Sequence, residues 1–126
     1  MVKIADITWQ VSKNVRDIAP SLYKNKSLYD QDKDNLKEFM CRYFNSTKGC
    51  IDKLSTIIPM GKTQKGGKCL KVKWRYLGSG KSGGIRLPVV AYCEHKKVII
   101  LDIFIRKDDP TDTEYQESFD SADKIL

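Results

Sequence analysis

The chain has 126 residues, 40% of them hydrophobic, with 23 Lys and Arg against 16 Asp and Glu and a formal net charge of +7. That length suits one compact domain with its own core, so a single domain over residues 1–126 is expected. No apolar run approaches the ~18 residues of a membrane span, and the opening MVKIADITWQ lacks the apolar stretch of a secretory signal, so a cytoplasmic protein without membrane contact is expected.

Ile4–Val11 reads as a short strand. In SKNVRDIAPSLYKN, Val15, Ile18 and Leu22 recur at helical spacing, and Pro20 should break or offset that helix. DQDKDNLKEFMCRYFNS is the strongest helix pattern: its acidic start suits the positive end of the helix dipole, and Leu36, Phe39, Met40, Tyr43 and Phe44 form a core-facing stripe. CIDKLSTII predicts a further helical turn ended by Pro59, and Gly61–Lys68 a basic loop. The period then changes to two. In CLKVKWRYL, residues Leu70, Val72, Trp74 and Tyr76 alternate with Lys71, Lys73 and Arg75, which predicts a half-buried strand with a cationic outer face.

GSGKSGG is a turn, IRLPVVAYC a strand whose Pro88 asks for an edge or a bulge, and EHKK a tight turn. VIILDIFIR, the most apolar run, is expected as the central strand. The acidic tail predicts a helix capped by Thr111, with Glu114 closing a capping box. The expected class is α+β: a small antiparallel sheet made of a three-strand meander and an N-terminal strand, two N-terminal helices on one face, and a short C-terminal helix.

Charge is distributed unevenly. From Lys53 to Cys93 there is no acid, while that stretch holds Lys53, Lys62, Lys65, Lys68, Lys71, Lys73, Arg75, Lys81 and Arg86; from Asp108 onward seven acids stand against Lys124 alone. A solubilising surface mixes signs. A basic centre interleaved with Trp74, Tyr76 and Tyr92 instead suits a polyanion, and nucleic acid first. The cysteines Cys41, Cys50, Cys69 and Cys93 form no Cys-x-x-Cys pair, so free thiols are expected. Cys93-x-His95 lacks further ligands at metal-site spacing, and neither a metal nor a cofactor is expected. His95, in the EHKK turn, reads as a solvated turn residue.

Gly80-Lys81-Ser82 has the ending of a phosphate-binding loop, but the required earlier glycine is Arg75, and the β-branched GGIRLPVVAY that follows cannot open a helix. The glycines therefore serve a sharp turn between strands.

LKVKWRYLGSGKSGGIRL followed by KVIILDIFIRKDD resembles the RelE/HigB superfamily of type II toxin–antitoxin toxins, over roughly Lys68–Tyr115. The resemblance implies a ribosome-dependent mRNA interferase, a metal-independent endoribonuclease that inhibits translation. It would cleave mRNA in the ribosomal A site by attack of the ribose 2′-OH on the adjacent phosphorus, and a cognate antitoxin protein would hold it inactive. It implies Arg86 as phosphate clamp, Lys71 or Lys73 in proton transfer or charge stabilisation, and Lys107 as a second phosphate cation. Lys68, Arg75, Lys81, Arg106 and Tyr115 would contact substrate, Tyr115 by stacking on a base or else as a core aromatic. The sequence departs from the family at LPVVAY, where Pro88 removes a ladder donor and Tyr92 is either a displaced equivalent of the family's tyrosine or a core residue. A ParE-like inhibitor of DNA gyrase and a non-catalytic RNA-binding module on the same scaffold are the alternatives.

Overall fold

The computed structural model describes residues 3–44, 57–75, 84–105 and 110–125. Ile4–Asp6 form a 3-10 turn, and strand β1 is confined to Thr8–Val11. Ser12 then caps helix α1 (Lys13–Ile18), its hydroxyl accepting from the Val15 amide at 3.3 Å. The helix tightens into a 3-10 turn at Ala19–Leu22, where Pro20 stands in the first turn and its missing N–H costs no bond. Helix α2 (Lys26–Phe44) begins a turn earlier than the acidic segment and has no acid in its first turn. The expected acidic start gives way because the Asn25 side-chain oxygen Oδ1 accepts from the Leu28 amide at 2.9 Å, so the helix begins where an exposed amide is satisfied. Along its stripe Met40 is fully buried, and Leu36, Phe39 and Phe44 pack against the core from its margin.

Five further strands follow: β2 (Ile57–Lys62), β3 (Lys68–Trp74), β4 (Ile85–Tyr92), β5 (Lys97–Ile100) and the two-residue β6 (Phe104–Ile105). They join β1 in one sheet of order β1-β5-β4-β3-β2, with β6 also on β4. Four expectations are corrected here. The sheet is mixed, because β1 runs parallel to β5 after the crossover through α1 and α2. Ile57 and Ile58 belong to a strand and the basic loop shrinks to Thr63–Gly67, since Ile57 pairs with Val72 and is buried against it; residues 50–56 of the predicted helical turn lie outside the described residues.

The central strand is β4, which pairs with β3, β5 and β6. VIILDIFIR is instead interrupted at Leu101–Ile103, where the Asp102 carboxylate accepts from the Ile103 amide at 2.8 Å and from Asn14 Nδ2 at 2.6 Å. That interruption is what admits Pro88 to a central strand. Its carbonyl accepts from the Leu101 amide at 3.0 Å, so its missing donor faces the gap between β5 and β6 and removes nothing from the β3 ladder.

The fourth correction concerns the faces. Side chains alternate along each strand. Leu70, Val72, Ile85, Leu87, Val89, Ala91, Val98 and Ile100 form one core with Val15 and Met40, under α1 and α2. Cys69, Val90, Tyr92 and Ile99 form a second core on the opposite face, closed by Tyr115, Phe119 and Ala122. Those last residues come from α3 (Asp112–Asp120) and α4 (Ala122–Ile125), so helices cover both faces of the sheet. Helix α3 starts as its sequence dictates. The Thr111 hydroxyl accepts from the Glu114 amide at 3.2 Å, while the Glu114 carboxylate accepts from the Thr111 amide at 3.4 Å.

Candidate functional site

Strands β3 and β4 bring three cations together. Lys73 lies directly opposite Arg86, and Lys71 opposite Pro88 one step along the same face. Alternation places all three on the face of the second core, beyond the end that α3 covers. The next neighbour in the row is Phe104, paired with Arg86 from β6. Helix α3 supplies the wall: the Lys71 ammonium sits 4.8 Å from the centre of the Tyr115 ring. That ring meets Phe104 edge-on at 5.8 Å and stacks on Phe119 at 6.2 Å. The result is two ammonium groups and a guanidinium, each half-buried, on an apolar and aromatic bed. Directly paired residues stand ~5 Å apart, close enough for neighbouring cations to hold one phosphate.

The remaining site residues divide. Arg75 follows β3 directly and is exposed beside this end of the sheet. Lys68 begins the same strand at its far end, roughly 17 Å from Lys73 at the rise of a β-strand, and alternation sets it on the other face, so it is not part of the cluster. His95 lies in the exposed turn Cys93–Lys96, also at the far end. Lys81, Arg106 and Lys107 fall outside the described residues. Tyr115 has 0% exposure, which fits the core aromatic of its two readings: the ring packs inside the second core and lies against Lys71.

Two polar groupings escaped the sequence reading. Asp32 on α2 is buried at 3% exposure and accepts from the Tyr23 hydroxyl and from Trp74 Nε1, the latter at 3.2 Å. It thereby pins the end of β3 that carries Lys73. At the other end Asp123 of α4 accepts from the hydroxyls of Tyr92 and Thr63, each at 2.6 Å, and from the Lys65 amide at 3.0 Å. Desolvation works against the Asp123 carboxylate, but the bonds from Thr63, Tyr92 and Lys65 outweigh it and hold its pKa below the ordinary value. Burial first, then the bond to Asp123, pushes the Tyr92 phenol well up. No spacing rule could have joined Thr63, Tyr92 and Asp123, which are far apart in the chain.

The nearby Cys69 thiol is pushed up to about 11 by burial, then by Asp123 and Asp120, which makes it a poor nucleophile. Cys41 and Cys69 are buried thiols outside any disulfide. Cys93 is disulfide-bonded, which corrects the free-thiol expectation at that residue. Among the described residues no helix is long and apolar enough to cross a membrane.

No protein-family model, curated protein or solved structure matches this chain.

Proposed function

We propose that this protein is the toxin of a type II toxin–antitoxin pair: a RelE-like, metal-independent endoribonuclease that cuts mRNA in the ribosomal A site. The observation that carries this reading is the direct opposition of Lys73 and Arg86, with Lys71 beside them over the Tyr115 ring. Like charges placed directly across a sheet pair cost stability. Such a cost is offset when an anion lies between them, and an RNA phosphate is an anion of the right size for that place. The resemblance of Lys68–Tyr115 to the RelE/HigB superfamily supplies the reaction.

In that reaction the 2′-oxygen forms a bond to the adjacent phosphorus and the bond from phosphorus to the 5′-oxygen breaks. A base takes the 2′-OH proton and an acid returns one to the departing 5′-oxygen. The extra negative charge gathers on the non-bridging oxygens, where cations stabilise it most. Arg86 suits bidentate contact with those oxygens, and Lys71 and Lys73 serve proton transfer and charge stabilisation. Guanidinium and ammonium groups supply the charge that a metal would otherwise bring. The protein then works in the cytoplasm, and its antitoxin acts by covering the cationic face or by blocking entry to the ribosome.

Purified protein added to a defined mRNA, with and without programmed ribosomes, tests this by mapping of the cut ends. Ribosome-dependent cuts that persist in EDTA are expected, with Arg86→Ala slower by roughly 10²–10³-fold, the loss typical of a transition-state donor. Equal cleavage by Arg86→Ala would remove the cluster from the chemistry. No cleavage by folded, antitoxin-free protein would overturn the nuclease reading, and a gyrase supercoiling assay would follow.

A further inference from the structure

The turn Thr63–Gly67 between β2 and β3 and the turn Cys93–Lys96 between β4 and β5 project from the same end of the sheet, opposite the end that holds Lys73 and Arg86. Between them lies an open concavity of about 260 Å³, lined by Lys62, Lys65, Lys68, Tyr92 and His95, with Glu94 the one acidic side chain among the described residues that line it. From this arrangement we infer that the two turns form a second RNA contact, a phosphate-backbone anchor separate from the cleavage cluster. The choice of RNA as the polyanion rests on the proposed function; the cationic site itself does not.

Three observations carry it. First, Lys62 and Lys68 are direct partners across the β2–β3 pair, a second like-charge opposition that costs stability when nothing anionic is present. Second, neither lysine takes part in an ion pair among the described residues. Third, the turn between them is built to be rigid. The Thr63 amide donates to the Gly67 carbonyl at 2.7 Å and the Gly67 amide to the Thr63 hydroxyl at 2.9 Å. The Lys65 amide and ammonium donate to the Asp123 carboxylate and carbonyl at 3.0 and 3.1 Å. Asp123 thus offsets the charge of Lys65, and Lys62 and Lys68 are the pair left to meet an outside anion. A turn held in this way loses little backbone freedom on binding.

The test uses the full chain and a short single-stranded RNA methylated at every 2′-oxygen, which can bind but cannot be cut. Affinity is measured across a salt series for the wild type, Lys62→Gln/Lys68→Gln and Lys62→Arg/Lys68→Arg. Each phosphate contact to a single strand contributes about 0.7 to the slope of log affinity against log salt. The glutamine pair is expected to flatten that slope by about 1.4, and the arginine pair to keep it. An unchanged slope in the glutamine pair, or no binding by the wild type, would overturn the inference. Should the glutamine pair fail to fold, amide shifts of the wild type during RNA titration replace it: movement at 63–67 and 93–96 supports the anchor, and stillness there overturns it. Cleavage and anchoring fail separately, because the methylated RNA reports binding alone and the ribosome assay reports cutting.

Discussion

Gly67 shows how one residue's volume decides a local structure. A Cβ there would stand 2.4 Å from Val90 Cγ1 and 2.7 Å from the Tyr92 ring, both in fully buried side chains. Gly66 differs: its φ of +85° demands a glycine-like backbone, but open space surrounds the position. Gly67→Ala is therefore expected to destabilise the protein by about 1–3 kcal/mol in urea unfolding, the usual cost of overpacking a core. The glycine and lysine content of Gly61–Lys68 indicates a loop and nothing more. What composition cannot convey is that the chain returns at Val90 and Tyr92 to pack against it. The same limit applied to Tyr115, whose place under Lys71 depends on where α3 lands.

Elements are joined here by a few side chains of high leverage. Asp123 fastens α4 to the β2–β3 turn through Thr63, Lys65 and Tyr92. Its pKa lies below the unfolded carboxylate value of about 3.9. The stability it contributes is therefore fully present above that value and is lost as pH falls through the lower, folded value. Melting temperature followed from pH 6 to 2 is expected to drop below about pH 4, and Asp123→Asn, less stable at neutral pH, is expected to lose that part of the acid dependence. Helix α3 depends on its cap. Removal of the hydroxyl in Thr111→Ala leaves the Glu114 amide unsatisfied and should cost about 1 kcal/mol, seen as a lower denaturation midpoint at unchanged slope. This cap was legible in advance because it needs only residues three apart. The acidic run does not mark the start of α2, because Asn25, which lies before it, satisfies the Leu28 amide.

At the scale of the molecule, the sheet separates two cores and leaves cations at both its ends. The acidic C-terminal segment does not lie loosely over the basic face. Tyr115, Phe119 and Ala122 are 0%, 2% and 0% exposed and close the second core. Deleting the chain from Thr111 onward is thus expected to abolish cooperative unfolding and expose dye-binding apolar surface, rather than to release a more active protein. Retained two-state melting in that deletion would show that the second core holds without α3 and α4.

By itself the amino-acid sequence determined which segments alternate with period two or recur with helical spacing, where Thr111 starts a helix, and that Lys71, Lys73 and Arg86 belong together near one hairpin. Those properties follow from neighbours within a few residues, where backbone geometry alone relates side chains. Tertiary structure decided what long-range pairing controls: the parallel seat of β1 on β5, the strand at Ile57–Lys62, the central place of β4 despite Pro88, and α3 on the cationic face. It also decided that Lys68, read as one site with Lys73, stands at the opposite end of the strand beside Lys62. An alternating strand states which residues share a face. Only its partners and the helix laid across it determine which part of that face stays open to a ligand.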